Sequence, residues 1–146
     1  MATYKEDRSF RRVREVKKVI TKNKEHLIQL IDQRMKKFGP NCNLNDIDVS
    51  HITDMSYLFC NSDFNGDISQ WDVSNAEDMS FMFEKSKFDR DISNWDVFNV
   101  RDMGYMFSDS EFNGDISNWD VSNVEYMYRM FKGSPLEGNE PRWYKD

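Results

Sequence analysis

From residue 47 onward, apolar positions return on a fixed beat. Ile47, Trp71, Trp95, Trp119 and Trp143 stand 24 residues apart, and Val49, Val73, Val97 and Val121 follow two positions behind the first four. Between them lies Asp48, Asp72, Asp96 or Asp120, and three positions ahead of the tryptophans stand Ile68, Ile92 and Ile116. Apolar-polar-apolar alternation predicts a short strand with Trp and Val turned in and Asp turned out. Next, Ala76, Met79 and Phe83, repeated as Val100, Met103 and Phe107, have the spacing of a helical turn or two. Ser74 with Glu77, and Ser122 with Glu125, read as capping boxes for those turns. A further apolar column, Phe64, Phe88, Phe112 and Leu136, leads into Asn-Gly-Asp turns at 65–67 and 113–115, with Asp-Arg-Asp in the middle repeat.

A fixed period of this length predicts stacked coils. The units are 47–70, 71–94, 95–118 and 119–142, with a fragment from Trp143. The expected fold is an α/β, leucine-rich-repeat-like solenoid of four 24-residue coils, each a short parallel strand plus a short helix. Its Ile-x-x-Trp-x-Val-x-Asn pattern follows the leucine-rich template with one residue fewer before Asn. The last unit loses the pattern at Pro135, Gly138, Glu140, Pro141 and Arg142, as terminal repeats do. Two prolines near an open edge also discourage pairing with another molecule.

Ahead of the repeats, residues 24–38 predict a helix. Leu27, Ile28, Ile31, Met35 and Phe38 form one apolar stripe, Asn23 is an N-cap, Gly39 suits a left-handed C′ position and Pro40 blocks continuation. This helix is expected to cap the first coil, whose apolar face would otherwise meet water. Residues 1–22 are basic, with Arg8, Arg11, Arg12, Arg14, Lys17, Lys18 and Lys22. Phe10, Val13, Val16 and Ile20 have helical spacing, which we prefer, although the β-branched residues there also suit a strand. The chain thus divides into a basic N-terminal segment (1–22), a capping helix and lead-in loop (23–46) and the repeats with a degenerate last unit (47–146).

Charge sharpens this division. Residues 1–40 carry 12 Lys/Arg against 5 Asp/Glu, while residues 41–146 carry 8 against 21. The two parts should attract each other, within one chain or between copies. The basic run lacks interleaved aromatics and the remainder is acidic, so nucleic acid is a poor partner. No apolar run approaches the roughly 18 residues of a membrane span. Met1 to Phe10 shows no secretory h-region, so the expected location is cytoplasmic. Cys42 and Cys60 are expected as free thiols, Cys60 exposed because its column holds Glu84, Ser108 and Lys132.

Three features carry candidate chemistry. Carboxylates of Asp48, Asp72, Asp96 and Asp120 stacked about 4.8 Å apart would repel unless compensated. Compensation comes from local hydrogen bonds that fix each turn, from a basic partner, or from a cation, though no known calcium-loop spacing is present. Tyr57, Phe81 and Tyr105, followed by Arg129, form a second column. Helical geometry would expose it as an aromatic stripe; irregular turns would pack the rings sideways on Leu58, Met82 and Met106. Phe98 interrupts Ser50, Ser74 and Ser122, which loses a cap that Asn99 can replace. It reads as an anchor beside the sheet or as rim packing. Catalysis has little footing: His51 stands in the column of Asn75, Asn99 and Asn123, which predicts a structural hydrogen bond, and nothing orients it on Cys60. Met55, Met79, Met103 and Met127 read as a core column, and no phosphate loop or cofactor motif occurs.

Residues 112–131 read Phe-Asn-Gly-Asp-Ile-Ser-Asn-Trp-Asp-Val-Ser-Asn-Val-Glu-Tyr-Met-Tyr-Arg-Met-Phe. With the lead-in Gly39-Pro40-Asn41, Leu44 to Ser50 and Ile52 to Phe59, they resemble the BspA-like surface-protein repeats of bacteria, a Mycoplasma lipoprotein-type family of unknown function. The resemblance spans roughly residues 23–134 in four copies. It implies a leucine-rich-repeat-like fold and adhesion or host-partner recognition, with no enzyme activity. A short stand-alone copy also fits a phage, virus or other mobile element. The expected function is therefore a non-enzymatic protein-binding module presenting a rigid acidic repeat surface. The alternative is a structural subunit of a virion or surface layer, self-associating through the basic N-terminal segment.

Overall fold

The computed structural model describes residues 17–146. Most of the basic segment, including Phe10, Val13 and Val16, lies outside those residues. The part described is not helical: Val19–Ile20 is a short strand, β1. Helix α1 follows at Lys24–Phe38 and strand β2 at Ile47–Asp48. β1 pairs with β2 in parallel, Val19 opposite Ile47 and Ile20 opposite Asp48.

α1 begins and ends where its cap residues stand. The Asn23 side chain accepts the His26 N–H at 2.9 Å, and Gly39, at φ 88°, donates its N–H to Met35 O at 2.8 Å. Leu27 and Ile31 enter the common core, with Leu30 and Met35 at its edge. Ile28 and Phe38, expected in the same stripe, are exposed, because the helix rests on the first repeat along a narrower line. Arg34 fixes that seat through a two-pronged ion pair with Asp46 at 2.8 and 2.9 Å.

Within the repeats the expected unit is a short strand plus a short helix. Among the described residues, Ile47–Asp48 is the one copy of the motif in a strand; Trp71-Asp72-Val73, Trp95-Asp96-Val97 and Trp119-Asp120-Val121 are not strands, and no helix follows them. Each repeat is a chain of turns closed by bonds from N–H(i) to O(i−3): Trp71 to Ile68 at 3.1 Å, Ala76 to Val73 at 2.9 Å, Met82 to Met79 at 3.3 Å. The reason lies in the aspartates. Asp-x-Ser occurs at 72–74, 78–80 and 91–93 of one repeat, and each carboxylate takes the N–H two residues on, bending the chain before a strand or helix can propagate. The presumed capping serines follow suit: the Ser74 and Ser122 hydroxyls donate to Asp72 and Asp120, both at 2.6 Å.

Regularity lies between repeats. Isolated parallel bridges join Asp54 to Asp78, Asp78 to Asp102 and Asp102 to Tyr126. Around them Met55, Tyr57, Phe59 and Asn61 donate to the carbonyls of Asp78, Ser80, Met82 and Glu84, and the same set recurs one and two repeats later. Two of the four N–H groups that this pattern leaves over in the last repeat find carboxylates: Arg129 N–H meets Asp146 and Gly133 N–H meets Glu137.

Side chains add two further ladders. The Trp71, Trp95, Trp119 and Trp143 indoles donate to the carbonyls of Leu44, Ile68, Ile92 and Ile116, each 27 residues back, at 2.9 to 3.1 Å. This explains Trp rather than another large apolar residue: the ring fills the core and its N–H satisfies a buried carbonyl. Asn75, Asn99 and Asn123 likewise reach Ser50, Ser74 and Phe98 carbonyls at 2.6 to 2.8 Å, so Asn99 is a ladder rung and not a substitute cap. Inside, Phe59, Phe83, Phe107 and Phe131 stack at 5.5 to 5.8 Å, flanked by Phe64, Phe88 and Phe112. The expected methionine column is buried at Met55, Met79 and Met103 and half-buried at Met127.

Candidate functional site

The structure separates the candidate residues into two surfaces. The column Asp48, Asp72, Asp96 and Asp120 lies outward, Asp48 half-buried and the others exposed. Each spends one carboxylate oxygen locally, on the N–H of Ser50, Ser74, Phe98 or Ser122 at 2.9 to 3.1 Å. Hydrogen bonds from Ser50 and Ser122 hold the Asp48 and Asp120 carboxyls below the usual range. Local turn bonding is therefore the role on view. Phe98 projects from this side, 46% exposed.

The second surface holds Tyr57, Phe81 and Tyr105. Their rings stack nearly parallel, at 4.6 and 4.8 Å between centroids, and Tyr128 closes the column edge-on to Tyr105 at 5.7 Å. Tyr57 is 55% exposed, Phe81 and Tyr105 are half-buried, and the Arg129 guanidinium lies over Tyr128 at 5.1 Å. The stripe thus surfaces on irregular turns, its rings packed on one another along the repeats. The backbone is the unexpected part. Tyr57, Phe81, Tyr105 and Arg129 have φ of 60°, 57°, 56° and 51°. This left-handed region costs an L-residue roughly 1–2 kcal/mol, and glycine occupies it freely. Four successive repeats nevertheless carry a large side chain there.

Beside this column runs a row that the sequence reading passed over: Asp54, Asp78 and Asp102. Each is fixed by the N–H two residues on, from Ser56, Ser80 and Gly104, all at 2.9 Å. Asp54 also carries a cation, Lys24 of α1 at 3.1 Å. The signal for the row was present in the sequence as a third Asp-x-Ser column, masked by the stronger Trp-Asp-Val motif.

A shallow groove between the two surfaces is lined by His51, Thr53, Asn75, Glu77, Asn99 and Arg101. His51 is structural: the Thr21 hydroxyl donates to Asp48 O at 2.9 Å and so accepts from His51 Nε2 at 3.2 Å. Both cysteines are free; Cys42 is buried, and Cys60, expected exposed, is half-buried. Burial pushes both thiols above their ordinary range. Among the described residues no three His, Cys, Asp or Glu side chains gather where they could hold a metal ion. No helix among them is long and apolar enough to cross a membrane.

A family model described as Mycoplasma protein of unknown function, DUF285, matches residues 10–143. The chain belongs to this family. Its match begins within the basic segment and ends at Trp143, so it takes in α1, both surfaces and the complete indole ladder. No curated protein matches the chain, and neither does any solved structure.

Proposed function

We propose that the chain is a non-enzymatic protein-binding module, a leucine-rich-repeat-like solenoid related to the BspA-like surface repeats, in which linked repeats hold a preformed face toward a partner. One observation carries the reading: a continuous aromatic column, Tyr57 to Tyr105, stands at the surface on backbone that glycine would occupy without strain. Strain kept in repeat after repeat implies that the side chains are needed, and partly exposed aromatics are the residues from which binding hot spots are built. The interlocking indole and asparagine ladders support a rigid face, which loses little entropy when a partner docks.

The test exploits the backbone. Phe81→Gly with Tyr105→Gly removes the rings at positions that accept glycine, leaving the fold in place. Immobilised parent and variant are exposed to an extract of the source cells, and retained proteins are quantified by mass spectrometry. The reading expects a partner held by the parent and lost from the variant, with melting curves showing both proteins folded at the temperature of the assay. Equal retention on both would overturn it.

A further inference from the structure

We infer that the Asp78 and Asp102 sites, beside the aromatic column, bind lysine side chains of a partner polypeptide. This rests on the protein-binding reading and specifies what the partner brings. The argument comes from a site the chain fills itself. Lys24 Nζ lies 3.1 Å from Asp54 Oδ1 and 3.0 Å from Ser56 Oγ. Asp54 and Ser56 are the first copy of a set that the next repeat reproduces as Asp78 and Ser80. The acceptor geometry is the same: Asp54 Oδ1 takes Ser56 N–H and Oγ–H at 2.9 and 2.6 Å, and Asp78 Oδ1 takes Ser80 N–H and Oγ–H at 2.9 and 2.7 Å. The third copy keeps the carboxylate, with Gly104 in place of serine, and Asp102 Oδ1 takes the Gly104 N–H at 2.9 Å.

Among the described residues, no lysine or arginine pairs with Asp78 or Asp102, whereas Lys24 pairs with Asp54. Arg101, on the adjacent column, turns instead to Glu125 at 3.3 Å. Asp78 with Ser80 therefore offers an ammonium what Asp54 with Ser56 offers Lys24, Asp102 offers the carboxylate alone, and Phe81 or Tyr105 stands three residues on as an apolar neighbour for the aliphatic stem. The rings below repeat every 4.6 to 4.8 Å. Lysines three or four residues apart on a helix, about 5–6 Å between Cβ atoms, match that step. The occupant fitted by this face is a helical segment with a lysine row beside an apolar row. Stacked rings turn their edges outward and cover one another's faces, which disfavours planar ligands that bind by stacking.

The probe is a fluorescein-labelled amphipathic Leu/Lys peptide of about 15 residues, long enough to hold a helix, with a control in which glutamine replaces every lysine. Binding to the full chain is followed by anisotropy at about 0.15 M salt, where long-range attraction is screened. Asp78→Asn with Asp102→Asn keeps each Oδ1 acceptor and removes the charge. The expected result is at least a tenfold loss of affinity for this pair, less than a twofold change for Asp72→Asn with Asp96→Asn, and no binding of the glutamine control. Equal losses from the two pairs would reduce the effect to general acidity and overturn the assignment, as would unchanged binding by Asp78→Asn with Asp102→Asn. A partner that is lost from the glycine variant yet unaffected by Asp78→Asn with Asp102→Asn would leave the protein-binding reading standing and remove only the lysine sites. Dimerisation of the parent, abolished by the same asparagine pair, would identify a second copy as the source of the lysines.

Discussion

Phe81 is where backbone and side chain pull in opposite directions, so two substitutions there separate them. Its ring stacks between Tyr57 and Tyr105 at 4.6 and 4.8 Å, while its φ is 57°. Phe81→Ala keeps the left-handed strain and removes both stacking contacts, each worth about 0.5–1.5 kcal/mol. With the lost burial of a half-covered ring, alanine should cost about 2–4 kcal/mol, somewhat below a fully buried phenylalanine. Phe81→Gly loses the same contacts but sheds strain of about 1–2 kcal/mol, offset in part by the greater freedom of glycine in the unfolded chain. Glycine should therefore be the more stable of the two by about 1 kcal/mol. In a helix or strand the order is reversed, glycine being worse than alanine by roughly 0.5–1 kcal/mol. Urea unfolding followed by tryptophan fluorescence measures the difference, and thermal melts should place glycine about 3 °C above alanine for a chain of this size. An alanine variant as stable as the glycine variant, or more so, would refute the left-handed assignment and the inference of selected strain built on it.

Trp95→Phe retains an aromatic ring but removes one of the two hydrogen bonds of the buried Ile68 carbonyl, the indole bond at 3.0 Å, and leaves the Trp71 N–H at 3.1 Å. It should destabilise by about 0.5–1.5 kcal/mol in a denaturant titration, the net worth of one hydrogen bond, and a neutral result would deny the indole ladder its role. Gly66→Ala places a Cβ 1.8 Å from the Cys42 carbonyl oxygen, a backbone atom with little room to retreat. A fall in melting temperature well beyond that of an exposed substitution is expected in calorimetry. Acid should unfold the protein from the turns outward. The Asp67 carboxyl is lowered by hydrogen bonds from Asn45 and Ser69, and those of Asp48, Asp91, Asp115 and Asp120 by their serines two residues on. A folded value below the unfolded one means that this stabilisation is complete above about pH 4 and is lost as pH falls through the folded values. Melting curves by circular dichroism should hold steady from neutrality to about pH 5 and drop steeply below about pH 4. A flat profile down to about pH 3 would show that the aspartate turns contribute nothing.

The sequence by itself determined the period, the core columns and α1. Trp71, Trp95 and Trp119 recur without slippage because each must reach a carbonyl 27 residues back, and any insertion would break the reach. Asn23 and Gly39 fixed the ends of α1 because caps act within a single turn and need no tertiary partner. The local form of each repeat was decided elsewhere. The spacing of Ala76, Met79 and Phe83 serves a helix and a run of turns equally well; the Asp78 carboxylate on the Ser80 N–H and the bonds from Met79 and Phe83 to Asp102 and Met106 together choose the turns. Ser74 beside Glu77 looks like a cap until Asp72 claims its hydroxyl. A left-handed Tyr57, Phe81 or Tyr105 is illegible in one sequence, since aromatic residues avoid that backbone on their own. Hydrogen bonds from Tyr57 to Ser80 O and from Phe81 to Gly104 O hold it in place, so the strained column exists only once neighbouring repeats meet.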